Sequence, residues 1–223
     1  MSLILLIAGA VALAFYIPEK IRGYTLKATL MKSIVSAFFV AVAVSAVSQA
    51  QIAPFIILGL VFGLMGDIWL DLKFVYPDQD KAYTYAGFIS FAIGHIMYIA
   101  GLFIHFGTGR YLPFSLALAV VASVLVLVTE KPMKLVYGSM KTIVFVYGLF
   151  LFSTVFISGG LLLEHGGTFL LLFFIGSVLF ALSDLILSGT YFGEGKDRPI
   201  DIILNYVFYY GGQFLIAYSL VFI

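Results

Sequence analysis

The sequence predicts an all-α integral membrane protein with eight transmembrane helices. Of its 223 residues, 63% are hydrophobic and only 10% are charged, whereas soluble domains are roughly 45–50% apolar and about 25% charged. Apolar stretches of about 20 residues, the length that spans a bilayer core, follow one another with short breaks. Since no break can hold a soluble domain, any chemistry must take place inside the helix bundle.

Eight apolar stretches can be followed in order along the chain. They cover residues 2–17, 33–50, 52–70, 84–105, 113–129, 137–158, 168–188 and 200–221. The first is preceded only by Met1 and Ser2, without the basic segment that opens a signal peptide. We therefore expect it to remain as a helix, and the chain to form a single membrane domain over residues 1–223.

The basic residues predict the orientation in the membrane. Arg110 alone follows an even-numbered stretch. The others lie in or beside the breaks after odd-numbered stretches: Lys20, Arg22, Lys27, Lys32, Lys73, Lys81, Lys131, Lys134, Lys141, Lys196 and Arg198. Because cytoplasmic loops carry the excess of Lys and Arg, we expect both termini to face away from the cytoplasm.

Two aspartates lie within the apolar stretches, Asp67 in GLMGDIWLD and Asp184 in LFALSDLILS. An ionisable side chain there costs roughly 2.5–3.5 kcal/mol and by default marks a functional site. Each is followed on the next stretch by a polar residue, His95 after 28 residues and Gln213 after 29. Two carboxylates in matching positions predict a site shared by two halves of the chain.

The matched spacing also predicts an internal repeat, with repeat one at about 1–106 and repeat two at about 113–223. The segment KSIV, which begins at Lys32, aligns with KTIV, which begins at Lys141. Four spans in each half give both repeats the same orientation. We therefore expect parallel four-helix repeats, related by an axis along the membrane normal.

Further polar side chains are predicted to face the aspartates. Asp71 lies one helical turn after Asp67. The eighth stretch has polar residues at every fourth position, and these share one face: Asp201, Asn205, Tyr209 and Gln213. We expect these faces to converge on one cavity that is open toward the cytoplasm.

Each of these signals also has a structural interpretation. Polar groups hold helices together in membranes, although the repetition of the aspartates favours a function. His95 fits a buried neutral histidine as well as it fits proton transfer. For Lys32 and Lys141 we favour side chains that extend to the cytoplasmic surface, as lysines near helix ends do.

Several kinds of chemistry are excluded or disfavoured. The chain has no cysteine, so it has no thiol nucleophile, disulfide or thiolate metal site. No HExxH spacing and no GxSxG motif occur, which argues against a familiar metal site and a familiar serine hydrolase. We expect neither a metal nor a cofactor.

Four short motifs resemble those of the YhhN family, which includes the animal lysoplasmalogenases. In order, they are GDIWL (66–70), GHIMY (94–98), SDLIL (183–187) and YYGGQ (209–213). The resemblance covers nearly the whole chain, and it implies an eight-span protein. The family tends to have Lys-Pro at the start of span two, where this chain has Lys32 followed by Ser33.

The resemblance implies hydrolysis of the vinyl ether bond of lysoplasmalogens to a fatty aldehyde and a glycerophospho-base. Such hydrolysis begins with protonation of an alkene carbon, which a neutral carboxylic acid can supply, and a second carboxylate can activate water. The implied catalytic residues are Asp67, Asp184 and His95, with Asp184 as the acid because its neighbours look drier. The implied substrate contacts are Asp71, Lys141, Asn205, Tyr209 and Gln213.

Two other functional classes remain open from the sequence. Parallel repeats with carboxylates in the membrane are also typical of proton-coupled transporters, and a lipid-binding protein without turnover is a third reading. The expected partners are a lysophospholipid within the bilayer and water, and no nucleic acid. The expected location is a bacterial inner membrane.

Overall fold

The computed structural model describes residues 1–46, 49–193 and 198–223. The described residues form eight α-helices joined by short loops and single 3₁₀ turns. The first four helices are α1 (Ser2–Arg22), α2 (Leu26–Ser45), α3 (Ala53–Val75) and α4 (Asp80–Phe106). The last four are α5 (Leu112–Val128), α6 (Lys141–His165), α7 (Thr168–Phe192) and α8 (Pro199–Ser219).

The predicted class, an all-α multi-pass membrane protein, is confirmed. Seven of the helices are long and apolar enough to cross a membrane. The other, α5, has 17 residues, which is the lower limit of about 17 for a spanning helix. Large apolar side chains point outward on all sides of the bundle, for example Ile4, Phe114 and Leu163, as they do when lipid is the solvent.

The second helix begins earlier than the sequence predicted, at Leu26 instead of residue 33. Thr25 caps it, because its hydroxyl accepts a hydrogen bond from the Ala28 N–H at 3.1 Å, a typical N-cap contact. The predicted break between the first two apolar stretches, residues 18–32, is thereby reduced to three residues, 23–25. Lys32, which was predicted to reach the surface, lies inside α2 and is buried.

Consecutive helices pair through glycines at two close crossings. A Cβ atom on Gly94 of α4 would lie 2.9 Å from the Gly59 carbonyl oxygen of α3. One on Gly212 of α8 would lie 2.6 Å from the Gly176 carbonyl oxygen of α7. The backbones therefore touch, as small residues allow in membranes. Gly59 and Gly176 each precede an aspartate by eight residues, which supports the repeat, although the repeat itself stays a prediction.

The orientation also stays a prediction, which reporter fusions can test. Gly107 and Gly166 end α4 and α6, and both have positive φ angles, 76° and 67°. Fusions at these two loops should report a non-cytoplasmic location because basic residues concentrate at the opposite ends of the helices. A cytoplasmic signal at either glycine would reverse the orientation. Of the basic residues behind this prediction, Lys196 lies outside the described residues.

Candidate active site

Helices α3 and α7 bring the two intramembrane aspartates to one cavity. Asp67 and Asp184 both line it, and its volume is about 20 Å³, which is room for about one water molecule. Lys32, Asn205 and Tyr209 also contribute to its wall, and we call it the polar cavity. The predicted convergence of the two halves of the chain is therefore confirmed, although the catalytic roles of these residues are not tested by it.

Asp67 is surrounded by groups that stabilise a carboxylate. The Lys32 ammonium lies 3.1 Å from Oδ1. Oδ2 accepts hydrogen bonds from the Ser36 hydroxyl at 2.6 Å and from the Tyr209 phenol at 2.7 Å. One cation and two donors on one buried carboxyl favour its ionised form and offset part of the cost of burying the charge.

Asp71 extends this ion pair toward α1. Its Oδ1 atom lies 2.8 Å from the Lys20 ammonium and 3.2 Å from that of Lys32. All these side chains are buried, and the described residues offer no partner to its Oδ2 atom. Two lysines and two aspartates thus alternate in one neutral cluster, which we call the charge cluster: Lys20, Asp71, Lys32 and Asp67. Asp71 is therefore adjacent to the polar cavity and does not line it.

Asp184 has a different environment. Its carboxyl accepts a hydrogen bond from the phenol of Tyr147 on α6, and the part of the chain that the structure describes places no ammonium or guanidinium within ion-pair distance of it. Its neighbour Ser183 accepts a hydrogen bond at its carbonyl from the Asn205 amide at 2.8 Å. The two carboxyls on the polar cavity therefore differ in their charge partners.

A larger, apolar cavity adjoins the polar one at Asp184. Its volume is about 60 Å³. Its wall combines Asp184 and Tyr147 with mainly aromatic and aliphatic side chains, among them Phe88, Leu151 and Phe152. Asp184 also lines the polar cavity, so its carboxyl stands at the boundary between a polar and an apolar space.

The predicted polar face of α8 provides support for Asp67. The Gln213 amide donates to the Tyr209 hydroxyl at 3.3 Å, and Tyr209 in turn donates to Asp67. Tyr98 on α4 donates to the Gln213 oxygen at 3.2 Å. Asn205 and Tyr209 line the polar cavity, whereas Gln213 does not. Gln213 therefore acts through Tyr209 in this arrangement.

His95 lies outside both cavities. Its Nδ1 atom is 3.1 Å from the Thr154 hydroxyl of α6, and its ring packs 5.0 Å from the ring of Phe180. None of its described hydrogen bonds reaches an aspartate. It contacts Tyr147 only through the rings, whose centroids are 5.9 Å apart.

We expect His95→Gln to lower activity by less than about tenfold, well below the 10²–10⁴-fold range of a general acid or base. The amide can keep the hydrogen bond to Thr154, and the residue at the corresponding place in the second half is Gln213. Steady-state turnover of the purified variant is the measurement. A loss of 10²-fold or more would assign His95 a direct part in proton transfer.

Lys141 is not brought to either cavity. It is the first residue of α6, its side chain is 55% exposed, and its ammonium lies 2.8 Å from Glu130. That hydrogen bond, together with the Tyr137 backbone N–H, holds the pKa of Glu130 below its usual value. The predicted surface location of Lys141 is therefore correct, and its predicted contact with substrate has no support in the cavity walls.

Lys32 and Lys141, which the sequence alignment pairs, have different environments. Tyr147 of α6, not Lys141, reaches the second aspartate as Lys32 of α2 reaches the first. Sequence reasoning missed Tyr147 because it is one of 14 tyrosines. It missed Lys32 as a site residue because neither charge nor hydropathy shows that a lysine near a helix end is buried. The spacing of Lys32 and Ser36, which places both on one helix face, was the available signal.

Comparison with known proteins agrees with the motifs. The model of the YhhN family matches residues 24–220. The chain belongs to the YhhN family. No curated protein and no solved structure gives a significant match. In this YhhN protein, α1 lies outside the matched region and yet contributes Lys20 to the charge cluster.

Proposed function

We propose that this YhhN protein is a hydrolase that cleaves the vinyl ether bond of lysoplasmalogens, releasing a fatty aldehyde and a glycerophospho-base. The observation that carries the proposal is the pair of buried carboxyls, Asp67 and Asp184, on one cavity with unlike partners. Pairs of carboxyls in unlike environments divide acid and base roles between them. Membership of the YhhN family is compatible with this activity.

The first step assigns the acid to Asp184. Its neutral carboxyl transfers a proton to the alkene carbon next to the ether-bearing carbon, which leaves an oxocarbenium ion and an Asp184 carboxylate. An apolar site favours the neutral form of a carboxyl, and Asp184 borders the apolar cavity. The phenol of Tyr147 holds the other carboxyl oxygen, so that the acidic proton can face the substrate.

The second step uses Asp67. Its carboxylate accepts a proton from water as the water oxygen bonds to the oxocarbenium carbon, which gives a hemiacetal. The hemiacetal then breaks its bond to the glycerol oxygen. The neutral Asp67 carboxyl protonates that oxygen while the Asp184 carboxylate accepts the hydroxyl proton, which yields the aldehyde and the alcohol and restores both aspartates. Lys32, Ser36 and Tyr209 keep Asp67 ionised and fix its orientation. In the net reaction, one vinyl ether and one water give one aldehyde and one alcohol.

The two cavities suit the two parts of a single-chain lipid. The apolar cavity is lined by side chains such as Phe88, Leu151 and Phe152, and the alkenyl chain enters between them. At about 60 Å³ the cavity holds only part of the chain, and its lining side chains move apart when the lipid binds. With the chain there, the vinyl ether lies at Asp184, and the water lies in the polar cavity beside Asp67.

A proton-coupled transporter is the second candidate, and the charge cluster is the observation that favours it. Alternating buried lysines and aspartates are the kind of group that carries protons through membrane proteins. The unpartnered Oδ2 atom of Asp71 is a place where a proton could bind. A lipid-binding protein without turnover is the third possibility.

An assay of aldehyde release separates these functions. Purified protein in liposomes is given a 1-alkenyl lysophospholipid, or the 1-alkyl analogue, which has no double bond to protonate. We expect aldehyde from the alkenyl lipid only. Proton uptake into the liposomes without aldehyde release would favour the transporter, and binding of both lipids with neither activity would favour the lipid-binding protein.

A further inference from the structure

We propose that Lys73 binds the phosphate of the substrate headgroup at the outer end of the apolar cavity. This inference rests on the proposed function and adds to it a recognition site and a direction for the bound lipid. The outer end is defined by Tyr137, Tyr191 and Phe192, which lie where α7 ends and where the loop before α6 crosses it.

A phosphodiester needs a cation near this cavity, because burying an unpaired charge is costly. The described residues that line the apolar cavity include no lysine or arginine. Lys20 and Lys32 are buried and held by the carboxylates of the charge cluster. Removing either from its partner would leave a buried carboxylate uncompensated. The phosphate therefore requires a different lysine.

Lys73 lies directly behind the wall of the apolar cavity. Its ammonium is 4.2 Å from the centre of the Tyr191 ring and 5.0 Å from that of Phe74, and Tyr191 lines the cavity. Its carboxylate partner is Asp80, at 3.3 Å. The Asp80 side chain is 49% exposed and that of Lys73 is 11% exposed. Asp80 can therefore turn to water, and the buried ammonium stays paired when a phosphate takes its place.

The spacing along α7 matches the lipid. Tyr191 follows Asp184 by seven residues, which is about 10 Å along the helix at 1.5 Å per residue. Seven bonds separate the alkene carbon that is protonated from the phosphorus atom of a lysoplasmalogen. Fully extended, they span about 8 Å at the rise per bond of an extended chain. A headgroup phosphate beside Lys73 thus leaves the vinyl ether beside Asp184.

Lys141, the other ion-paired lysine near the outer end, is held more firmly. Lys141 pairs at 2.8 Å with Glu130, whose side chain is only 12% exposed. Glu130 also accepts the backbone N–H of Tyr137, so the Lys141 pair helps to fix the loop that closes this end. Lys131 and Lys134 of that loop are exposed, whereas Lys73 lies against the cavity wall at Tyr191. Of the two ion-paired lysines, Lys73 is the one that can exchange its partner. The headgroup then lies at the outer end, and the chain points inward toward Leu151 and Phe152.

The test compares two substrates that differ in the phosphate, a 1-alkenyl lysophospholipid and the corresponding 1-alkenylglycerol. We expect Lys73→Met to raise KM for the phosphate-bearing substrate by about 10- to 100-fold, the value of a hydrogen bond to a charged group. Neither kcat nor the turnover of the alkenylglycerol should change much. Unchanged turnover of the phosphate-free substrate also shows that the variant is folded.

Two matched variants and one binding measurement complete the design. Lys27→Met removes a lysine from another surface ion pair, with Glu19, and should have no effect. Three results would overturn the proposal. Lys141→Met raises the KM for the phosphate-bearing substrate and Lys73→Met does not, Lys73→Met impairs the turnover of both substrates equally, or Lys73→Met impairs neither. A binding measurement makes the same comparison without turnover. The Kd of the non-hydrolysable 1-alkyl lysophospholipid is compared with that of 1-alkylglycerol, so Lys73 is tested even if no aldehyde is released. Absence of aldehyde from wild-type protein would refute the hydrolase alone.

Discussion

Asp67→Asn and Asp184→Asn should each lower the rate of vinyl ether hydrolysis by at least about 10²-fold, the lower limit for loss of a general acid or base. Asparagine keeps the size of the side chain and can still accept the hydrogen bonds from Tyr209 or Tyr147. It can neither donate the proton that forms the oxocarbenium ion nor take one from water. Aldehyde release by each purified variant is the measurement.

Both variants should fold, because neither leaves a buried lysine without a carboxylate partner. In Asp67→Asn, Lys32 keeps its contact with Asp71 at 3.2 Å. In Asp184→Asn, no cation among the described residues loses a partner. Asp78→Asn, in the exposed turn between α3 and α4, is the matched control and should keep full activity. Turnover near the wild-type level in both variants would eliminate the two-aspartate mechanism.

Lys32→Met should lower the free energy of unfolding by about 3–5 kcal/mol, the typical cost of removing one partner of a buried ion pair. Lys32 is the ammonium that contacts both aspartates of α3, and methionine leaves Asp67 without a cation. Thermal unfolding in detergent, followed by the loss of helical signal, gives the difference from wild type.

Two further variants show whether the loss of stability comes from an uncompensated buried charge or from the removal of any lysine. Lys27→Met breaks an ion pair whose lysine is 68% exposed, and it should cost no more than about 1 kcal/mol. The double variant Lys32→Met, Asp67→Asn removes the uncompensated charge and should recover part of the lost stability. If Lys32→Met were as stable as Lys27→Met, the Lys32 side chain would not be held in the bundle.

The helices could be predicted closely because lipid imposes a simple rule on sequence. Every backbone polar group must be paired within a helix, so hydropathy alone locates the spans. The start of α2 was predicted too late because hydropathy does not recognise a buried lysine that is ion-paired. A lysine whose charge is balanced by Asp67 and Asp71 is compatible with burial, and its partners are 35 and 39 residues away in sequence.

The site was predictable in its rare residues and not in its common ones. Asp67 and Asp184 stood out because charge is scarce inside apolar stretches. Tyr147 is one aromatic residue among many, and only the packing of α6 against α7 shows that its hydroxyl reaches Asp184. His95 was as conspicuous as the aspartates, but its partner is Thr154, which no sequence pattern distinguishes.

The order of the charge cluster along the chain bears on how the protein is made. Lys20 and Lys32 are synthesised before either of their partners, and Asp71 follows Lys20 by 51 residues. During insertion, an unpaired lysine carries a penalty of about 2.5–3.5 kcal/mol at the centre of a span and a smaller one near its ends, where Lys20 and Lys32 lie. That penalty is relieved only when α3 arrives with both aspartates. Biogenesis therefore favours lateral release of α1, α2 and α3 together, after the third helix has emerged from the ribosome.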